Sequence, residues 1–155
     1  MRGPLVMREY WKRPEQTEEV FEGEWLHSGD MAYEDEYGYL YIVDRKKDMI
    51  ISGGFNVFPK EIEDVLTAHP AISNAAVIGV PDEKWGEKVL AIVVLRPGES
   101  MAESELIDMV KTRKGAVYAP KQILFENDLP VTALGKPDKK QLRKRFWSGS
   151  GRKVN

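Results

Sequence analysis

Two aliphatic runs, residues 72–80 and 88–95, constrain the fold of this chain more than any other feature. Both read as strands, and residues 81–87 between them (Pro-Asp-Glu-Lys-Trp-Gly-Glu) form a segment dense in turn formers. The longest uninterrupted run, residues 89–95, is far below the ~20 apolar residues a membrane-crossing helix needs. Around these runs the pattern alternates. Pro59 suits the first turn of a helix on which Ile62, Val65, Leu66 and His69 share a face. Ser100-Met101-Ala102-Glu103 reads as a capping box opening a helix with Leu106, Met109 and Val110 inward. Residues 122–125 read as a short strand, and Pro137 opens a last helix bearing Leu142 and Phe146. The order from Pro59 is helix–strand–strand–helix–strand–helix, an α+β or α/β sandwich.

The stretch before Pro59 is different in kind. Pro14 can begin a short helix to Phe21, broken by Glu22-Gly23-Glu24. Apolar periodicity is weak up to Trp25, and the aromatics Tyr10, Trp11, Phe21 and Trp25 suit docking onto something else. Residues 31–33 and 39–43 read as a hairpin, followed by five consecutive charges, Asp44-Arg45-Lys46-Lys47-Asp48. Residues 49–51 and 55–58 are strands joined through Ser52-Gly53-Gly54, where a glycine pair permits close approaches.

Composition narrows the function classes. With 155 residues and 42% hydrophobic content the chain can bury a core. A net charge of −2 argues against a nucleic-acid-binding domain. The absence of cysteine removes disulfides, thiolate metal sites and cysteine nucleophiles, and fits a reducing, cytoplasmic setting. Two histidines, His27 and His69, exclude a multi-histidine metal site.

Three segments carry candidate chemistry. Residues 129–137 contain Gly135-Lys136, but Pro130 and Pro137 stand where a phosphate loop needs glycine and Ser/Thr. What remains is one lysine on a loop between prolines, able to reach into another domain's site; composition alone favours a surface lysine in a turn. Asp30, on the Ser28-Gly29-Asp30 turn, can accept two hydrogen bonds from a vicinal diol such as ribose, or can cap the turn. Arg45 and Lys47 can contact a nucleotide or lie on a solvated turn, which is also where a hinge would sit.

Taken in order, these blocks resemble the C-terminal part of the adenylate-forming enzymes: acyl- and aryl-CoA synthetases, luciferases and peptide-synthetase adenylation domains. The resemblance runs from Arg2-Gly3-Pro4 and Tyr10-Trp11 through Trp25-Leu26-His27-Ser28-Gly29-Asp30. It continues in Tyr39-Leu40-Tyr41-Ile42-Val43-Asp44-Arg45-Lys46-Lys47-Asp48 and in Gly54-Phe55-Asn56-Val57-Phe58-Pro59-Lys60-Glu61-Ile62-Glu63. Val80-Pro81-Asp82 with Gly86-Glu87, and Leu129-Pro130 with Gly135-Lys136, complete it. Asp44-Arg45-x-x-Asp48, then Gly54 and Glu61-Ile62-Glu63, is closest in style to fatty acyl-CoA ligases. Peptide-synthetase domains favour a Gly-Arg opening here, and aryl-CoA ligases and beetle luciferases often carry lysine where Ile51 stands.

The resemblance implies an α+β fold, a β-hairpin followed by a mixed sheet of about three strands flanked by helices. It implies that residues 1–43 are the end of a large N-terminal adenylation domain, 44–48 a hinge, 48–147 a mobile C-terminal domain and 148–155 a flexible tail. Lys136 aligns with the adenylation lysine, Asp30 with the ribose-binding aspartate, Arg45 with a nucleotide-contacting arginine and Lys47 with the hinge residue. Gly53 and Gly54 align with the coenzyme A side, Gly54 lining the pantetheine passage. Asn56 stands where a phosphate-contacting Gln or Arg is common. The block Trp85-Gly86-Glu87 reads as structural; the basic stretch 139–145 can attract coenzyme A phosphates, but reads first as a solvated helix face. Implied ligands are a fatty acid, ATP, coenzyme A and magnesium, the last bound with the acyl pocket and phosphate loop in the N-terminal domain, the chain's expected partner. No nucleic acid and no transmembrane segment are expected; the intact enzyme is expected in the cytoplasm, with peripheral membrane attachment left open. The fragment alone is expected to be inactive. An aryl-acid ligase, another adenylate-forming enzyme and a non-catalytic nucleotide- or protein-binding module are the alternatives.

Overall fold

The computed structural model describes residues 1–147, so the tail expected at 148–155 lies outside the described residues. The chain divides into two compact units, Met1–Lys46 and a second beginning at Lys47.

In the first unit Pro14 occupies the first turn of α1 (Pro14–Val20), as its fixed φ and missing N–H allow. The Thr17 hydroxyl accepts the Tyr10 N–H and donates to the Arg13 carbonyl, fixing the entry to this helix. A minimal hairpin, β1 (Phe21–Glu22) and β2 (Trp25–Leu26), precedes the longer hairpin of β3 (Asp30–Glu34) and β4 (Leu40–Arg45). Asp35 organises the β3–β4 turn by accepting the Tyr37 and Tyr39 N–H groups and the Tyr41 hydroxyl. No residue of 1–46 is buried. Tyr33, Tyr37, Tyr39, Leu40 and Ile42 all stand exposed on the hairpin, so this unit has no apolar core of its own.

The second unit does. After a 3-10 turn, Lys46–Asp48, come β5 (Ile50–Ser52), β6 (Phe55–Val57) and α2 (Pro59–Thr67). Then follow β7 (Ile72–Asp82), β8 (Gly86–Leu95), α3 (Glu103–Lys114), β9 (Gln122–Phe125) and α4 (Lys139–Trp147). The antiparallel β7–β8 pair is the spine; β9 joins β8 in parallel, and the β5–β6 hairpin attaches through Ser52 opposite Gly86. Helices cover both faces. Ala75, Val77, Val89, Ala91 and Val93 pack with Ile62, Leu66, Leu106 and Val110 of α2 and α3. The alternate residues Ala76, Ile78, Leu90, Ile92 and Val94 pack with Leu129 and Leu142 on the α4 side. A strand covered on both faces is apolar at every position, which is why residues 75–80 and 89–95 carry no polar side chain.

Several local expectations shift. His69 lies beyond α2, which ends at Thr67, and its Nδ1 accepts the Ala71 N–H. The α3 cap sits two residues later than expected: Ala102 precedes the helix, and the Glu105 carboxylate accepts its N–H at 2.8 Å. Alanine has no side-chain oxygen, so only half of a capping box forms. The last helix starts at Lys139, with Asp138 Oδ1 accepting the Gln141 N–H at 3.0 Å. The basic stretch is only in part a solvated face: Lys140, Lys144 and Arg145 are exposed. Lys139 and Arg143 point inward to Glu63 and Asp48, each pair at 2.8 Å, and Arg145 reaches Glu126.

The edge of β7 is closed by side chains. Glu63 Oε1 accepts the Val77 N–H at 2.7 Å, and the Trp147 indole donates to the Gly79 carbonyl at 3.1 Å. Elsewhere, burial chiefly, then a hydrogen bond to Glu61 and that residue's charge, push the Tyr118 phenol up to about 12. Its folded value exceeds the ordinary value of 10.0, so the stability it contributes is complete below pH 10 and is lost as pH rises towards 12. Ultraviolet titration of tyrosinate is expected to lose its last step in Tyr118→Phe. Among the described residues no helix is long and apolar enough to cross a membrane.

Candidate functional site

Lys136 projects from a tight hairpin between β9 and α4. Val131 bridges to Pro137, the Thr132 N–H donates to the Lys136 carbonyl at 2.7 Å, and the Gly135 N–H to the Thr132 carbonyl at 2.9 Å. The Lys136 N–H in turn reaches Thr132 Oγ1. This small network shapes a tip whose lysine is exposed. No ion pair of Lys136 occurs among the described residues, so its ammonium is available to an anion supplied from outside the unit.

Asp30 and Arg45 belong to the first unit and face each other across the β3–β4 ladder. Arg45 Nε lies 3.9 Å from Asp30 Oδ1, a loose contact between two partly exposed groups that leaves both able to bind elsewhere. The Asp30 N–H donates to Ser28 Oγ. An open cavity of about 620 Å³ is lined by Asp30, Gly29, Ser28, His27, Trp25 and Lys46, among others. Lys47 is exposed in the 3-10 turn and begins the second unit, while Asp44 and Arg45 still belong to β4.

Gly53, Gly54 and Asn56 are gathered at the β5–β6 turn, Asn56 opposite Ile51 and exposed. The two glycines are required for different reasons. Both have left-handed backbones, φ +58° and +84°. At Gly53 a Cβ would also lie 2.7 Å from Cε3 of Trp85, whereas at Gly54 it would meet open space. Trp85, read from the sequence as part of a structural block, supports this turn: its carbonyl accepts the Gly53 N–H, and the Lys84 and Lys121 ammoniums lie 4.9 and 5.4 Å from its ring. Gly54→Ala is therefore expected to cost about 1–2 kcal/mol of backbone strain. Gly53→Ala should cost more, because the indole must move as well. Urea unfolding midpoints rank the two, and a change in Trp85 fluorescence should accompany Gly53→Ala alone.

Among the described residues no group of three or more His, Cys, Asp or Glu could hold a metal ion, so these residues give magnesium no donor set.

In the second unit the lysine loop and the double-glycine turn accompany a mixed sheet covered on both faces; the aspartate–arginine cross-strand pair belongs to the first. Residues 61–136 match the AMP-binding enzyme C-terminal domain, and this part of the chain belongs to that domain family. It is 53% identical, over 98% of its length, to the medium/long-chain-fatty-acid–CoA ligase FadD8 of Mycobacterium tuberculosis. It is 47% identical, over 93%, to a feruloyl-CoA synthase of an Amycolatopsis species. Among solved structures, the amide bond synthetase McbA from Marinactinospora thermotolerans superposes with a TM-score of 0.84, at 41% identity over 94% of this chain and 30% of McbA. The chain spans 28% and 29% of the lengths of the two curated relatives.

Proposed function

We propose that this chain is the C-terminal portion of a cytoplasmic, AMP-forming ligase that joins medium- or long-chain fatty acids to coenzyme A. In the first half-reaction the fatty carboxylate attacks the ATP α-phosphorus, forming acyl-adenylate and releasing pyrophosphate. In the second, the coenzyme A thiol attacks the acyl carbon and AMP leaves. Lys136 serves the first step: carboxylate and α-phosphate are both anionic, and an ammonium between them offsets repulsion as the bond forms. Asp30 accepts the ribose hydroxyls, and Arg45 contacts the nucleotide. Lys47 is the hinge at which the domain of residues 48–147 turns between half-reactions, residues 1–43 belonging to the N-terminal portion. Gly53 and Gly54 line the thiol's approach, and Asn56 stands beside the coenzyme A phosphates. The phosphate loop, acyl pocket and magnesium site belong to the N-terminal portion. Any attachment to a membrane is peripheral.

The observation that carries this reading is the 53% identity to a fatty acid–CoA ligase across nearly the whole chain. The 47% identity to a feruloyl-CoA synthase favours an aryl acid as the second reading. The full-length protein, assayed for AMP release with coenzyme A and either decanoate, oleate or ferulate, separates them. Turnover with the fatty acids and not with ferulate is expected; the reverse overturns the assignment. The 155-residue chain alone is expected to show no ATP–pyrophosphate exchange.

A further inference from the structure

We propose that Glu63 and Lys139 form a largely, not fully, buried clamp that positions the Lys136 loop for adenylation; the inference rests on the role proposed for Lys136. Lys136 is exposed and makes no ion pair among the described residues, so the place of its loop is set by the loop's two roots rather than by its tip. The incoming root is Leu129, buried against the α4 side of the sheet. The outgoing root is the start of α4. There Asp138 donates its N–H to the Pro130 carbonyl at 2.7 Å, tying the two roots together, and caps the helix through its carboxylate.

Lys139, three residues beyond Lys136, is what joins this assembly to the sheet. Its Nζ lies 2.8 Å from Glu63 Oε1, with both side chains about 15% exposed or less. The same oxygen accepts the Val77 N–H at 2.7 Å. Glu63 is thus held by the backbone of β7, and Lys139 is held by Glu63. Pro137 removes one backbone rotation between Lys136 and this anchor. A charge pair removed from water has few alternative partners, and either charge left alone would be driven to rearrange. The chain of contacts runs from the β7 backbone through Glu63 and Lys139 to Pro137 and the Lys136 backbone. Neither Glu63 nor Lys139 has to touch substrate; they act through the placement of Lys136.

The test compares half-reactions in the full-length enzyme. Glu63→Gln keeps an acceptor for the Val77 N–H and removes the charge that holds Lys139. Lys139→Met keeps the apolar stem, and Lys139→Arg keeps the pair. Misplacing a catalytic group by about 1 Å can cost about 100-fold. Glu63→Gln and Lys139→Met are therefore expected to lower kcat for ATP–pyrophosphate exchange by about 10- to 100-fold. KM for ATP and fatty acid should stay unchanged, as should the rate of thioester formation from preformed acyl-adenylate. Lys139→Arg should restore most of the loss. Equal losses in both half-reactions, unchanged adenylation, or no rescue by arginine overturns the clamp. Should Glu63→Gln fail to fold, the Lys139→Met and Lys139→Arg pair decides alone. Lys136→Ala, assayed in parallel, separates the two levels. If it spares adenylation, the role of Lys136 itself is wrong; if it abolishes adenylation while the clamp variants do not, only the clamp is wrong.

Discussion

Lys136→Ala in the full-length ligase is expected to slow acyl-adenylate formation by about 10²–10³-fold, corresponding to the ~3–4 kcal/mol typical of one lost transition-state stabiliser. The loss should fall on kcat for pyrophosphate exchange, because the charge that the lysine meets is greatest when the carboxylate oxygen and the α-phosphate are closest. Thioester formation from chemically prepared acyl-adenylate should be spared, since that step begins after the anions have been joined. The surroundings of Lys136 favour a selective effect. It is exposed and its side chain supports no ion pair among the described residues, so truncation removes a cation without opening the core. The hairpin beneath it is built from backbone bonds and Thr132, which alanine leaves in place. Lys136→Arg keeps the charge but replaces a compact ammonium with a planar fork, and an intermediate rate is expected. Equal loss in both half-reactions would sink the assignment.

What the sequence made legible follows the range of the interactions involved. Local rules located α2, because Pro59 marks its first turn and Ile62, Val65 and Leu66 fall on one face. The aliphatic runs located β7 and β8, but their ends were hidden. Pro81 and Gly86 are turn formers by type, yet Pro81 pairs with Glu87 and Asp82 with Gly86. Proline is tolerated there because β7 is an edge strand and has ladder bonds on one side only. The α3 start was misplaced because serine is a better cap than alanine, and the half-box at Ala102 depends on the Glu105 side chain. In the candidate site, the family resemblance nominated Lys136, Gly53, Gly54 and Asp30 for their proposed roles. It did not show that Asp30 and Arg45 share a rung, since that is set by the register of β3 and β4 and by the irregularity between Met31 and Ala32. The inward side of α4 was the least legible. Residues 139–145 look like a solvated basic face until their acidic partners, far away along the chain, are folded against them.

Asp48→Ala tests the most consequential of those hidden contacts, and it is expected to destabilise the second unit by about 3–5 kcal/mol. Asp48 Oδ1 receives Arg143 Nη1 at 2.8 Å, and both side chains are about 13% exposed or less. Arginine cannot shed its proton within a protein's working range, so truncating the aspartate leaves an uncompensated buried cation. Arg143 has little reserve: its Nε is already buried without a hydrogen-bond partner among the described residues. Asp48→Asn, which keeps an acceptor of similar size but no charge, should lose less. Arg143→Met should also lose less than Asp48→Ala, because the methionine still packs where the arginine stem lay. If the cost is that of a stranded charge, the double variant Asp48→Ala/Arg143→Met will regain stability over Asp48→Ala, a non-additivity that equilibrium urea unfolding measures directly. Additive losses would mean instead that packing around α4, not charge pairing, ties residue 48 to the helix that follows the Lys136 loop.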